Sequence, residues 1–188
     1  MKLSILIPTL PERFPMLNNL VEHLGKQAEK YPNQVEILID DRDKGVSTGR
    51  KRNDLLKKAK GYYIVFIDDD DEVPEYYIDE ILKASEQNAD CIATNGKMTT
   101  NGGNEIKWKL SKNYENADAY ENGVKYYQRK INHISPIKRE LALQVGFPDI
   151  SNAEDKYYSD RIAPLCKTES VIDLPMYWYK FSTYNKSY

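Results

Sequence analysis

Cysteine is scarce. Cys91 and Cys166 stand far apart, so the chain has neither a disulfide framework nor a cysteine-based metal spacing, as suits a reducing compartment. No apolar run approaches the ~20 residues that cross a bilayer. The opening Met1-Lys2-Leu3-Ser4-Ile5-Leu6-Ile7-Pro8 is too short, and too soon broken by proline, to read as a signal peptide. The expected location is therefore cytoplasmic, with any membrane contact made through a surface or a partner. A net charge of −2 gives no general attraction for nucleic acid. No G-x-G-x-x-G or G-x-x-x-x-G-K-[ST] follows any apolar run, which removes the dinucleotide fingerprint and the P-loop. Histidine occurs only at 23 and 133.

What is present is a dense acidic stretch. Tyr63-Ile64-Val65-Phe66-Ile67 is an uncharged apolar run of the kind buried on both faces of a parallel sheet. It leads directly into Asp68-Asp69-Asp70-Asp71-Glu72. Crowded carboxylates repel one another unless a cation sits among them, and oxygen ligands on a loop suit Mg²⁺ or Mn²⁺. Open α/β sheets bind ligands at the carboxyl ends of their strands, where these acids fall. A solvated acidic turn ahead of a helix opened by Pro74 also fits the same residues.

The first half alternates strand and helix. Strands are expected at 3–7, 35–39 and 63–67. The intervening helices carry Leu17, Leu20, Val21, Leu24 and Ala28, then Leu55, Leu56 and Ala59, and a third follows with Tyr77, Ile78, Ile81 and Leu82. Ser47 or Thr48 caps the second helix and Gly61 ends it. Repeated strand–helix units predict right-handed crossovers and a mostly parallel sheet with helices on both faces. After Asp90 the pattern changes. A short strand at 91–94 precedes a hairpin over 97–100 and 105–109, turning at Asn101-Gly102-Gly103-Asn104. Residues 111–128 read as a Tyr-rich loop with a helix near 123–128. A strand interrupted at Pro136 is expected over 131–137, helices over 139–144 and 154–162, closing strands at 171–174 and 176–181, and a frayed tail at 182–188.

Five segments, in order, resemble family 2 glycosyltransferases of GT-A fold. They are Ser4-Ile5-Leu6-Ile7-Pro8-Thr9, Glu36-Ile37-Leu38-Ile39-Asp40-Asp41, Gly49-Arg50-Lys51-Arg52-Asn53 leading to Ala59-Lys60-Gly61-Tyr62-Tyr63-Ile64, the Asp-x-Asp-like Phe66-Ile67-Asp68-Asp69-Asp70-Asp71, and Gly146-Phe147 followed by Glu154-Asp155. Leu10-Pro11-Glu12-Arg13 departs from the family's usual Tyr-Asn pair after the first strand. The resemblance implies an α/β GT-A single domain over 1–188, with a nucleotide-sugar-binding half over 1–95 and an acceptor-side half over 96–188. It implies a metal-dependent, inverting, hexosyltransferase-type enzyme that moves a sugar from a nucleotide-diphosphate donor, UDP-type, to an acceptor hydroxyl. It assigns Asp70 to Mn²⁺ or Mg²⁺, and Asp69, with Asp68 in support, to the nucleotide side. Asp41, Pro8 and Thr9 read the nucleobase, with Glu12 a further nucleotide candidate, and Asp40 either shares that task or holds its loop. Arg50 and Arg52 approach the diphosphate or form a salt-bridged helix face. Asp155 is the general base, and Glu154 contacts the acceptor or braces the site. His133 is a metal ligand of the kind GT-A enzymes often add, or a packed residue. Trp108, Asn132 and Lys138 line the acceptor side.

The acceptor is left open among a glycan, a lipid-linked sugar, a protein and modified DNA, and the oligomeric state is open too. Two other classes compete. A nucleotidyltransferase shares such a sheet but wants a glycine-rich basic loop after strand one, which Leu10-Pro11-Glu12-Arg13 is not. A non-catalytic cation or nucleotide-sugar binding module would not need a base at Asp155, and the acid run lacks EF-hand spacing.

Overall fold

The computed structural model describes residues 1–181, so the expected tail at 182–188 lies outside the described residues. The elements in chain order are β1 (Leu3–Pro8), α1 (Phe14–Ala28), β2 (Val35–Asp40), α2 (Thr48–Lys58), β3 (Tyr63–Phe66), α3 (Tyr77–Ser85), β4 (Cys91–Thr100), β5 (Ile106–Ser111), β6 (Ala117–Glu121), β7 (Val124–Lys130), β8 (Ile137–Lys138), α4 (Arg139–Val145), α5 (Glu154–Ile162) and β9 (Glu169–Phe181). A single 3-10 turn, Pro11–Arg13, joins β1 to α1.

The strands form one nine-stranded sheet in the order β2-β1-β3-β8-β4-β5-β7-β6, with β9 pairing β4. β1 is central to the first half and runs parallel to both β2 and β3. All six of its residues are buried, which explains its nearly unbroken apolar sequence. Its two faces feed two cores. Leu3, Ile5 and Ile7 pack with Leu17, Leu20 and Leu24 of α1 and Ile78 and Ile81 of α3. Leu6 packs with Leu55 and Leu56 of α2, Ala142 of α4 and Tyr158 and Ile162 of α5. Helices therefore cover both faces, and the three strand ends with their loops meet at one edge.

Two glycines let backbones meet where a side chain would not fit. A Cβ on Gly49 would lie 1.8 Å from the Pro148 carbonyl oxygen, and the Gly49 N–H donates to Ile150 at 3.0 Å. That contact docks the start of α2 against the segment leading to α5. Gly61 does not cap α2, which ends at Lys58; it packs on the β1 backbone, where a Cβ would stand 2.4 Å from the Ser4 nitrogen.

The second half corrects several expectations. The loop and helix expected over 111–128 is the β6–β7 hairpin, turning at Asn122 (φ 50°) and Gly123 (φ 78°). Both residues are left-handed, as a tight type I′ hairpin requires. The strand expected over 131–137 shrinks to β8, because the Asn132 side chain accepts from the Ile134 N–H at 3.1 Å and the Ser135 N–H bonds Asn132 O at 3.1 Å. Such local side-chain bonds favour a turn over a ladder. α3 starts at Tyr77, not Pro74, since the Tyr77 N–H bonds Pro74 O in a separate turn. The two closing strands are one strand, β9, whose pairing with β4 is irregular near Pro175.

Candidate active site

The acid loop sits at the carboxyl end of β3, beside the ends of β1 and β2. Each acid meets a different partner, and the partners come from distant parts of the chain. Asp68 is ion-paired to Arg52 of α2 at 2.9 Å and lies 3.4 Å from His133 Nε2. Asp69 is 2% exposed, accepts a hydrogen bond from Thr9 Oγ1 and meets Arg13 at 2.9 Å. Asp70 meets the other Arg13 nitrogen and keeps 36% of its side chain exposed. Asp71 is buried, with the Tyr177 hydroxyl donating at 2.7 Å and the Lys180 N–H at 3.0 Å. Glu72 pairs with the Lys180 ammonium. The loop is thus pinned to β9, to α2 and to the turn after β1.

These environments drive the carboxyl groups apart. Burial opposes ionisation of Asp68, but the Arg52 charge, aided by His133, holds it well below the usual carboxylate range. Burial pushes Asp69 up to about 6, against the Thr9 bond and Arg13. Burial, then the Asp68 charge, push Asp71 up to about 8, against the bonds from Lys180 and Tyr177. An unfolded Asp titrates near ~3.9, so between about pH 4 and 8 the folded state holds a proton at Asp71 that the unfolded state has lost. Stability therefore falls as pH rises through that window. In EDTA, the melting temperature is expected to drop from pH 5 to pH 8.5. Asp71→Asn, which carries no charge at either pH, should flatten the drop and recover roughly 2–4 kcal/mol at the alkaline end. Parallel melts of the two proteins check this, and a flat wild-type profile would rule it out.

The loops after β1 and β2 are tied by an internal lysine. Lys51 is buried and donates to Thr9 O at 2.7 Å and to Arg42 O. Asp40 is buried and accepts from the Arg42 backbone at 3.3 Å and from its side chain, so it holds its loop. Asp41 is exposed and edges a shallow recess of about 440 Å³ with Phe14, Leu17, Asn18 and Ile39. Pro8 ends β1 on the same edge of the sheet, and exposed Glu12 pairs with Lys44 at 3.2 Å. A larger cavity of about 650 Å³ opens beside Asp69 and Asp70, between α1 and Trp178 of β9.

The other side of the site is the first turn of α5. Gly146 takes φ 61°, and Asn53 of α2 brackets Phe147 with two bonds of 2.8 Å. Phe147 stacks on Tyr158 at 4.3 Å, which seats α5. Ala153, just before the helix, takes φ 63°, a left-handed conformation that is strained for a residue with a Cβ. Glu154 is buried 3.4 Å from Arg52, and burial pushes its carboxyl up against that pull. Asp155 is partly exposed, and the next N–H, that of Lys156, donates to it at 2.8 Å. Tyr179 of β9 lies within range of charges from both sides. Burial raises its phenol, and the charges that add to the effect are Asp71, Asp68, Asp70 and Asp155.

Several candidates sit where the sequence did not put them. Arg52 is 3% exposed, with its guanidinium 5.3 and 5.6 Å from the Phe66 and Phe147 ring centroids. It cannot reach a diphosphate in the open cleft; it is a buried link between Asp68 and Glu154. Arg50, by contrast, lies on an exposed helix face and pairs with Asp54 at 3.3 Å, the salt-bridged face that is one of its two expected places. Trp108 is buried against Tyr177 and fills the space beside Gly96, so it packs the core and does not line an acceptor surface. Lys138 pairs with Asp90 at 3.1 Å. His133 is 8% exposed and reaches Asp68, while its Nδ1 has no partner. The sequence reading missed Arg13, Lys51, Tyr177 and Tyr179.

Mg²⁺ typically takes one or two carboxylates and fills its shell with water and phosphate oxygens. The accessible Asp70 carboxylate fits that demand. Among the described residues, no three His, Cys, Asp or Glu side chains converge as a complete cage.

The description "Glycosyl transferase family 2" matches residues 41–144, over half of the chain. The chain belongs to glycosyltransferase family 2. A relative in Bacillus subtilis (strain 168), EpsH, named as a glycosyltransferase, is 22% identical over 84% of this chain and 47% of its own length. Among solved structures, S. aureus TarS superposes with a TM-score of 0.68 at 18% identity, over 96% of this chain and 37% of TarS. TarS 1-349 in complex with UDP-GlcNAc gives 0.67 at 18% identity, over 96% of this chain and 58% of that one. These likenesses establish the GT-A-type fold. The chain covers between 37% and 58% of the length of these relatives. Among the described residues, no helix is long and apolar enough to cross a membrane.

Proposed function

We propose that this family 2 glycosyltransferase binds a UDP-type sugar donor across the ends of β1, β2 and β3. It moves the sugar, with inversion, to an acceptor hydroxyl. The observation that carries this reading is the Arg52 bridge, 2.9 Å from Asp68 of the acid loop and 3.4 Å from Glu154, the residue beside Asp155. The neighbours solved with UDP and UDP-GlcNAc support the donor class.

In this reading the recess edged by Asp41, with Phe14 and Ile39 as its apolar floor, takes the base, and Thr9 and Asp69 lie on the ribose side. Asp70, with Asp68 and His133 behind it, would hold Mn²⁺ or Mg²⁺, which supplies charge neutralisation for the diphosphate leaving group. Asp155 takes the acceptor's proton as its oxygen attacks the anomeric carbon, while the bond from that carbon to the diphosphate oxygen breaks. Residues 1–95 serve the donor and 96–188 the acceptor, a glycan, a lipid-linked sugar or another hydroxyl compound. A cytoplasmic site of action fits the two free, buried cysteines.

A thermal-shift series tests the donor half. UDP is expected to stabilise the protein weakly alone and by about 2.7 kcal/mol with Mn²⁺, once it reaches a hundred times its Kd. Asp70→Asn should remove the Mn²⁺-dependent part, because an amide is a poor ligand for a hard cation. Equal UDP binding by both proteins in Mn²⁺ would sink the role of Asp70.

A further inference from the structure

We infer that Arg13 is an exchangeable counter-cation of the donor site. It neutralises Asp69 and Asp70 while no divalent ion is present. It releases Asp70 when one arrives with a nucleoside diphosphate, whose phosphate oxygens then take the freed guanidinium. The inference rests on the proposed donor site and deepens it.

Three observations carry it. First, the five acids do not share their partners evenly. Asp68 has Arg52 and His133, Asp71 has Tyr177 and the Lys180 N–H, and Glu72 has the Lys180 ammonium. Asp69 and Asp70 share the single guanidinium of Arg13, one nitrogen to each carboxylate. The guanidinium hydrogen-bonds Asp70 and stands in ion-pair range of Asp69, so one positive charge offsets the repulsion between the two carboxylates.

Second, Arg13 can leave and Arg52 cannot. The Arg13 side chain is 32% exposed and the Arg52 side chain 3%. Arg52 is held over the Phe66 and Phe147 rings. Arg13 ends a single 3-10 turn that has no side-chain cap. A long, half-buried side chain with an open path to solvent can turn to another anion.

Third, Asp69 does not depend on Arg13 alone. Its other oxygen accepts the Thr9 hydroxyl, which stays in place if Arg13 swings out. The exchange therefore frees Asp70, the more exposed of the pair, without unseating the loop. The guanidinium comes from Leu10-Pro11-Glu12-Arg13, the segment where this chain departs from its family's usual sequence. A protein whose binding-competent state is a minor one shows an affinity lowered by that fraction. Arg13 on the acids is the incompetent state for a cation, and a cation bound at Asp70 is the competent one for the guanidinium to meet phosphate.

The test is a titration of Mn²⁺ into the full chain, with free Mn²⁺ followed by electron paramagnetic resonance. Wild type, Arg13→Gln and Arg13→Lys are compared, with circular dichroism to establish that each is folded. Without nucleotide, Arg13→Gln should bind Mn²⁺ at least about tenfold more tightly than wild type, since the competitor is gone. Arg13→Lys keeps the charge but loses the fork, and should fall between them. With UDP present the order should change. Arg13→Gln should bind UDP about tenfold or more weakly at saturating Mn²⁺, because the guanidinium no longer meets phosphate. Unchanged or weaker Mn²⁺ binding by Arg13→Gln, with Mn²⁺ bound by both proteins, overturns the exchange and leaves the donor site standing. Failure of both proteins to bind Mn²⁺, with or without UDP, overturns the exchange and the donor site together, and failure of Arg13→Gln alone overturns the exchange.

Discussion

Asp155→Asn is expected to slow sugar transfer at least about a hundredfold while leaving nucleotide affinity near the wild-type value. Removing a general base typically costs ~10²–10⁴ in rate. Asparagine keeps the shape and can still accept the bond that the Lys156 N–H donates to Oδ1. It cannot take a proton. The fold should be untouched, because Asp155 is partly exposed and the contacts that seat α5 run through Phe147, Tyr158 and Glu154. UDP should bind normally because Thr9, Asp41, Asp69 and Asp70 all belong to the first half of the chain. The signature is a lowered kcat with little change in the donor KM, the pattern of an interaction made only in the transition state. Transfer at the wild-type rate would remove Asp155 as the base and make Glu154 the next residue to test.

The first half of the fold was legible because its cues are local and strong. β3 is an unbroken apolar run and β1 nearly one, and Ser47 caps α2 as its sequence suggests, its side chain accepting from Arg50 N at 3.1 Å. The acids, too, could be placed at a strand end from order alone. The second half was less legible because its strands are amphipathic and polar. β6 carries only Ala117, Ala119 and Tyr120 as apolar residues, and its partners set its conformation. The Asn122-Gly123 turn was the available signal. At the site, spacing could nominate carboxylates but not their counter-ions. Arg13 lies 57 residues from Asp70, and Tyr177 lies 106 from Asp71. No periodicity links such pairs. The same blindness left Arg52 open between the diphosphate and a salt-bridged helix face, since a cation 16 residues before an acid motif shows neither its partner nor its burial in sequence.

Arg52→Met is expected to cost the protein roughly 3–5 kcal/mol near neutral pH, the usual loss when one partner of a buried ion pair is removed. The length and apolar character of methionine keep the contacts with Phe66 and Phe147. What disappears is the charge that faces Asp68 at 2.9 Å and Glu154 at 3.4 Å. Both carboxylates are then left without their main counter-charge, one on the acid loop and one in the first turn of α5. At ~2–4 °C per kcal/mol for a chain of this size, the melting temperature should fall by roughly 6–20 °C. The pH dependence gives the test its sign. In the wild type, Asp68 is depressed below the ordinary range, with burial opposed by Arg52 and His133. A depressed carboxylate contributes stability that is present above its unfolded pKa and is lost as pH falls through its folded one. The gap between wild type and Arg52→Met should therefore be widest at neutral pH and should narrow as pH falls towards about 4, because burial without Arg52 raises Asp68 above the ordinary carboxylate range and lets it take a proton. Arg52→Lys should recover only part of the loss, because one ammonium cannot bracket both carboxylates as the fork does. Because the same side chain joins the donor loop to the helix that carries Asp155, kcat should fall with stability even where the variant is fully folded. Urea melts at pH 4 and pH 7.5 decide the matter. A loss under about 1 kcal/mol at pH 7.5 would place Arg52 among ordinary surface ion pairs and dissolve the link between the two halves of the site.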